Sequence, residues 1–471
     1  MYKEKIDAYI DSKREDMLAD LSELVRINSQ KGEAKDGMPY GEGPARAIAA
    51  AEELMKKYGL STKNYGNRVV TGDLSDQEKE LDILAHLDVV PVTEDWTVTQ
   101  PFEPKIVDGR IYGRGTADDK GPAIAALYAI RAIRELGIPL KKSVRLILGS
   151  DEECGSSDLK YYYGIEEEAP CSFTPDADFP VINIEKGRFS KVFQAEYADN
   201  GVLPKVVSLK SGSKVNVVPQ TAEAVVAGIE KAVLEETAGQ VASATGVTFM
   251  IEEVQDGTEN VCRISTRGQA AHASTPQEGK NALTATLELL VKLPLADSEG
   301  LGRLKGLNQM FPYPDTCGEA LGVKRYEAQS GALTLCFSVL NYTATGLKGE
   351  FDGRLPIGCT VDNTAKPVAA AFEAHGMKIE NIKISEPHCV PGDSFLVKTL
   401  LGCYERYSGV KGEPLSTGGG TYVHNLKRGV AFGCMTPDVD NHMHGDDEFM
   451  VIDTLLMSAK IFADAIVKIC G

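Results

Sequence analysis

The side chains best suited to chemistry are one histidine and several carboxylates in the first part of the chain. His86 and Asp88 stand two apart in Leu84-Ala85-His86-Leu87-Asp88, at the end of a run that reads as a strand. In extended backbone that spacing projects both side chains from one face. Asp118-Asp119, Asp151-Glu152-Glu153 and Asp176 add acids at the ends of other elements. Taken singly, each has a plain structural explanation, as a solvated acid pair or a strand-end imidazole bonded to a nearby acid. Their coincidence changes that. If they converge, so many negative charges stay ionised only beside cations, and carboxylates with imidazoles are suitable ligands for a pair of Zn²⁺ or Mn²⁺ ions. Absences narrow the chemistry further. None of the seven histidines precedes a glutamate, so H-E-x-x-H is missing, and neither G-x-S-x-G nor a phosphate-binding P-loop occurs. Gly113-Arg114-Gly115 opens like a dinucleotide fingerprint but leads into Asp118-Asp119, whose charge opposes a pyrophosphate.

The elements that must carry these residues follow from periodicity. Met17, Leu18, Leu21, Leu24 and Val25 predict a helix over 13–27, and Ile48, Ala51, Leu54 and Met55 a second from Pro44 to Gly59. Strands are expected over 67–74 and 81–90, then a helix over 119–136 closed by Gly137, then a strand over 144–148. That order places His86 and the 151–153 acids at strand ends, where open α/β sheets bind their ligands. From Phe189 to about Pro387 the texture shifts to alternating segments (217–226, 261–266, 333–340) mixed with helix (281–293), which reads as an inserted α+β domain. A helix over 395–407, a tight loop at Gly418-Gly419-Gly420, a short strand over 429–433 and an amphipathic helix over 452–469 then complete the first domain.

The 471 residues suffice for one or two large cores, and 43% hydrophobic with 25% charged residues describes an ordinary folded chain. A formal net charge of −18 repels phosphate backbones and anionic lipid, so nucleic acid and membrane are not expected partners. Ten scattered cysteines without a C-x-x-C pair, and a charged N-terminus, point to free thiols and a cytoplasmic protein.

The strings Leu84-Ala85-His86-Leu87-Asp88, Gly113-Arg114-Gly115-Thr116-Ala117-Asp118-Asp119-Lys120-Gly121, Ser150-Asp151-Glu152-Glu153-Cys154-Gly155 and Phe173-Thr174-Pro175-Asp176 resemble the M20 metallopeptidase family. Ala271-His272-Ala273-Ser274, Asn281-Ala282 and His444-Gly445-Asp446-Asp447-Glu448 extend the resemblance, in the family's order, over nearly the whole chain. Within the family it is most similar to the bacterial dipeptidases of the PepV, carnosinase-like type.

The resemblance implies an α/β catalytic domain of zinc-peptidase type, with a mixed central sheet flanked by helices, formed by 1–187 and 388–471. It also implies an inserted α+β lid over 188–387. It implies two divalent ions, Zn²⁺ first and Mn²⁺ or Co²⁺ as alternatives. Asp118 would bridge them, His86 and Asp176 would complete one, and Glu153 and His444 the other. Asp88 would orient His86, Glu152 would be the general base toward a hydroxide bridging the ions, and His272 would donate to the oxyanion. Asn216, Arg354 and the loop Gly419-Gly420-Thr421 match positions that contact substrate, and Arg can fork onto a peptide carboxylate. His444 is preferred to His442 because only it has Glu448 at the family's four-residue offset. His424, His442 and Cys154 receive no role.

The expectation is therefore a monomeric dinuclear dipeptidase acting on short peptides with free termini. An N-acyl-amino-acid deacylase of acetyl-ornithine or succinyl-diaminopimelate type would share the metal core. A non-catalytic metal-binding homologue is the other alternative, although a structural site needs no Glu152.

Overall fold

The computed structural model describes residues 2–254 and 260–471. The chain divides into two compact units, one of Met1–Ile184, His388–Ser416 and Gly420–Gly471, the other of Glu185–Pro387 with Thr417–Gly419.

The first unit is built on a mixed sheet whose strands lie in the order Ser61–Asn64, Val69–Asp73, Ser143–Gly149, Lys79–His86, Cys171–Thr174, Gly429–Ala431, Val181–Glu185 and His388–Cys389. Lys79–His86 runs parallel to both Ser143–Gly149 and Cys171–Thr174, and Gly429–Ala431 continues the parallel block. Val69–Asp73 is antiparallel to Ser143–Gly149, which makes the sheet mixed as expected. Every residue of Ser143–Gly149 is buried, the pattern of a strand covered on both faces. Its one charged member, Arg145, forks onto Asp82 of the neighbouring strand at 2.7 Å for both bonds. The helices Lys120–Glu135 and Ile452–Cys470 pack together in this core, and both are rich in Ala, Ile and Leu on their buried faces. A helix over Lys3–Ser12 precedes the expected first helix; only Ile6 and Ile10 are buried on it, too few to stand out as a periodic signal.

The second unit is an antiparallel sheet in the order Thr248–Val254, Val261–Arg267, Thr221–Ala227, Lys205–Ser211, Thr334–Thr343, Gly346–Leu355, Lys191–Glu196 and Lys378–Ile379. Helices Lys231–Thr245, Ala282–Leu290, Glu299–Met310 and Lys366–Ala374 contribute to its separate core. The strand expected over 217–226 begins only at Thr221, because Pro219 has no N–H for the ladder. Asn281 caps its helix by accepting from Leu283 N and Thr284 N. Thr417–Gly419, placed by sequence with the C-terminal segment, sits with this unit: Lys186 N donates to Thr417 O at 2.9 Å and Arg354 Nη1 to Gly418 O.

Candidate metal centre

Within the first unit, the parallel strands end together. His86 is the last residue of Lys79–His86 and pairs with Gly149 at the end of Ser143–Gly149, while Asp176 follows Cys171–Thr174 by two residues. The chain leaves these ends as irregular backbone, so His86, Glu152-Glu153 and Asp176 gather at the carboxyl edge of the sheet. Asp118 arrives from the turn that starts helix Lys120–Glu135. His444 comes from the loop before Phe449–Val451, held in the left-handed region at φ 60°. That conformation costs a residue with a Cβ about 1–2 kcal/mol, and such strain is found where a side chain must be aimed.

The distances define two groups that share Asp118. His86 Nε2 lies 2.9 Å from Asp118 Oδ1 and 3.7 Å from Asp176 Oδ2. His444 Nε2 lies 2.9 Å from Asp118 Oδ2 and 3.3 Å from Glu153 Oε1. In each group the candidate ligand atoms lie within 4.8 Å of one another. The tautomer of His86 makes this informative. Its Nδ1 is 3.0 Å from the main-chain carbonyl of Asp88, which can only accept, so Nδ1 carries the hydrogen. Nε2 therefore turns a lone pair toward the Asp118 carboxylate. Two acceptors at 2.9 Å require a cation between them, either a second proton on the ring or a metal ion. His86 Nε2 and Glu153 Oε1 are also buried without a hydrogen-bond partner, as ligand atoms would be. Three carboxylates and two imidazoles fit a pair of divalent ions of the Zn²⁺, Mn²⁺ or Co²⁺ kind.

The electrostatics show the same surplus of negative charge. Burial raises Asp176 well above the ordinary carboxylate value, with Asp119 and Asp118 adding to it. Asp119 is lifted by burial and by Asp118, and Glu153 by burial and by Asp118. Glu152 is pushed up to about 8 by burial, with Glu153 and Asp88 reinforcing the shift against His86. Asp118 goes the other way: burial would raise it, but the imidazoles of His444 and His86 against its two oxygens hold it well below the usual range. His444 is lifted to about 10 by the Asp118 and Glu153 carboxylates beside it.

A set of buried hydrogen bonds that the sequence does not announce holds these loops. The Asp88 carboxylate accepts from Glu152 N at 3.2 Å and Glu153 N at 3.1 Å, so Asp88 orients His86 through its main chain and the 152–153 pair through its side chain. Glu448 is fully buried, pairs with Arg114 Nη1 at 2.6 Å, and accepts from the amides of Gly115, Ala117 and Asp118. Asp158 accepts from Ser150 N, Asp151 N and Tyr422 Oη, and the Tyr422 ring meets His86 edge-on at 6.2 Å. Gly149 makes room for that contact, since a Cβ there would fall 2.0 Å from Tyr422 Oη. Asp119 Oδ2 accepts from His86 N. No short motif announces partners this distant in sequence; the four-residue offset of Glu448 from His444 was the one available hint. Asp151, grouped with the acids by sequence, turns to Lys31 and Ser157. Gly420 and Thr421 also belong to this unit, where Thr421 Oγ1 accepts from Val423 N to cap a short 3₁₀ turn.

The second unit gathers the other expected residues. His272 bridges to Val217, and Ala273 N donates to the carbonyl of Asn216 at 2.9 Å. Arg354 is buried and forks onto Asp352 at 2.6 and 3.0 Å, with Nη1 on Gly418 O, so three of its N–H groups are committed within the unit. Gly418 lies against Ser274, and Gly419 N donates to Thr417 Oγ1 at 3.1 Å.

Comparison with known proteins agrees with this geometry. The family model described as "Peptidase family M20/M25/M40" matches residues 83–468, and the chain belongs to that family. A Bacillus subtilis protein named "Putative dipeptidase YtjP" is 36% identical, over 97% of this chain and 98% of its own. The beta-Ala-Xaa dipeptidase of Lactobacillus delbrueckii subsp. lactis is 33% identical, over 98% and 97%. Among solved structures, human carnosine dipeptidase 1 matches with a TM-score of 0.57 at 16% identity, over 100% of this chain and 99% of its own, and shares the fold. The dipeptidase Dug1p of Saccharomyces cerevisiae does likewise, with a TM-score of 0.58 at 14% identity, over 99% and 98%.

Proposed function

We propose that this chain is a metal-dependent dipeptidase that hydrolyses the peptide bond of short peptides with free termini. The observation that carries the reading is the pair of groups sharing Asp118, His86 Nε2 at 2.9 Å from its Oδ1 and His444 Nε2 at 2.9 Å from its Oδ2, with Asp176 and Glu153 completing three candidate ligands each. Relatives matched over nearly their full length are named as dipeptidases, which weighs against the N-acyl deacylase alternative.

His86, Asp118 and Asp176 would hold one ion and Asp118, Glu153 and His444 the other, with Zn²⁺ the first candidate for both. When bound, the ions supply Lewis-acid polarisation of a water and of the peptide carbonyl. Glu152 takes the proton of the attacking water and returns it to the departing amine. Asp88 fixes Glu152 and Glu153 through their amides. The second unit acts as the lid in this reading: His272 donates a hydrogen bond to the developing oxyanion, and Asn216 and Gly419, with Gly420 and Thr421 of the first unit, bind the substrate's polar ends, while Arg354, its fork already taken by Asp352, braces Gly418 instead of meeting substrate. A non-catalytic homologue would have no use for Glu152, half-buried beside the ligand set.

The protein is read as a monomer on its resemblance; the ten free thiols and the charge of −18 support a reducing, cytoplasmic compartment and the absence of a nucleic-acid partner. Among the described residues, no helix is long and apolar enough to cross a membrane.

The test is amino-acid release from an unblocked dipeptide and its N-acetylated counterpart, with added Zn²⁺ or Mn²⁺ and then with chelator. Chelator-sensitive cleavage of the free dipeptide alone is expected. Turnover of the blocked compound alone would replace the reading by a deacylase.

A further inference from the structure

The second unit fixes the tautomer of its exposed histidine. His272 Nδ1 lies 2.6 Å from Ser274 Oγ and accepts from the main-chain N–H of Ser274 at 3.2 Å. The hydroxyl could donate or accept, but an amide N–H can only donate. Nδ1 must therefore present its lone pair, and in a neutral ring the hydrogen then sits on Nε2. A proton on Nδ1 would set one N–H against another and lose the main-chain bond, leaving only the hydroxyl to turn and accept. The backbone beneath is also pinned: Val218 N donates to Ala271 O and Ala273 N to Asn216 O, both at 2.9 Å, and Thr334 Oγ1 approaches the Ser274 carbonyl at 3.5 Å. Ser274 has little room to turn away, because it packs against Gly418, where an added Cβ would come within 2.7 Å of Ser274 Cβ.

We propose that Ser274 is a positioning residue that holds His272 as the neutral Nε2–H tautomer, so that the ring serves as a hydrogen-bond donor rather than as a base. The inference rests on the reading of His272 as the oxyanion donor, and it adds the device that keeps the donor loaded. A base at this position would need its Nε2 lone pair; the Ser274 contacts put a hydrogen there instead. Donation from a preset N–H spares the reaction the reorganisation of a ring that must first find its tautomer.

The measurement is the ¹⁵N spectrum of the histidine rings in full-length, Zn²⁺-loaded protein near neutral pH, with the His272 signals assigned by their loss in His272→Gln. The proton is expected on Nε2, with Nδ1 showing the shift of an unprotonated nitrogen. A protonated Nδ1 in the wild-type protein overturns the proposal without recourse to any variant. Ser274→Ala keeps the main-chain N–H but removes the shorter, 2.6 Å hydroxyl bond to the Nδ1 lone pair, and is expected to raise the share of the Nδ1–H tautomer and to lower kcat by about 2- to 10-fold with KM unchanged, the span of one lost hydrogen bond. An unaltered tautomer ratio with unaltered kcat in that variant also overturns it. Failure of the underlying reading looks different: His272→Gln would then turn over dipeptide at the wild-type rate while the ring spectrum of the wild-type protein still showed Nε2–H.

Discussion

Both units bury carboxylates, and they neutralise them in different ways. In the second unit Asp352 is matched by Arg354, two residues away on the same strand, through two bonds of 2.6 and 3.0 Å. In the first, Asp118, Glu153 and Asp176 meet the imidazoles of His86 and His444 and, among the described residues, no Lys or Arg ion pair, and burial with mutual repulsion lifts Asp119, Glu153 and Asp176. A matched pair completes itself within the chain. A surplus of buried negative charge is completed by what binds, and the difference between the two regions marks where cations belong.

The comparison breaks most visibly at Glu152, which lies beside the surplus without being counted among the ligands. Glu152→Gln is expected to lower kcat by roughly 10²- to 10⁴-fold while bound-ion content, measured by elemental analysis, stays at the wild-type level. Loss of the ions with the activity would make Glu152 a ligand instead. Next in size is the matched pair: Arg354→Ala leaves Asp352 buried and unpaired, and should cost about 3–5 kcal/mol in urea unfolding. Replacing both partners by apolar residues should recover most of that loss, since the pair is self-contained.

Asp176→Asn sharpens the contrast because its effect changes sign with metal. Asp176 holds its proton more tightly folded than unfolded, so its contribution falls as pH rises above the ordinary carboxylate value. At neutral pH the metal-free variant should therefore melt higher than the metal-free parent, by about 1.4 kcal/mol for each pH unit of that shift. With metal present the variant should melt lower, through weakened binding. The smallest effect is the proton count. His444 is lifted to about 10 by Asp118 and Glu153, so the metal-free protein carries a proton there at neutral pH. The stability this gives the metal-free state is complete below the unperturbed value of about 6.5 and lost as pH rises through about 10. Ion binding must expel the proton, so apparent affinity should rise with pH by about tenfold per unit for each proton displaced. Calorimetry in buffers of different ionisation enthalpy reads that number directly; no proton release would contradict the placement of His444.

Much of the centre was legible because His86, Glu153 and Asp176 lie in short motifs at strand ends, and the alternation of helix and strand places those ends. The second α+β region and the strand ends carrying His86 and the 151–153 acids came from local pattern, whereas the mixed sheet and the grouping of His86, Asp118, Glu153, Asp176 and His444 as ligands came from the likeness to M20 motifs. The supports did not. Arg114 with Glu448, Asp158 with Tyr422, and the Asp88 carboxylate on the 152–153 amides join residues far apart in sequence, and a buried hydrogen bond leaves no periodic trace. Arg354 was read as a fork for a substrate carboxylate. The structure shows that fork occupied by Asp352, which two residues of strand spacing put on the same face. The helix Lys3–Ser12 escaped because two apolar residues do not make a stripe.

Glu448 has a consequence for how the protein is made. Its carboxylate receives the amides of the Gly115–Asp118 loop across some 330 residues of sequence, and His444 lies in the same late segment. Until that segment has left the ribosome, the loop that aims Asp118 lacks its anchor and one of the two clusters lacks its imidazole. The centre thus cannot close until residue 448 has been made and released, and a nascent chain short of that point has no finished pair of sites with which to capture ions. A chain truncated before Asn441 should retain the His86 and Asp176 loops yet fail to bind two ions, a deficit that metal titration of the purified fragment would register.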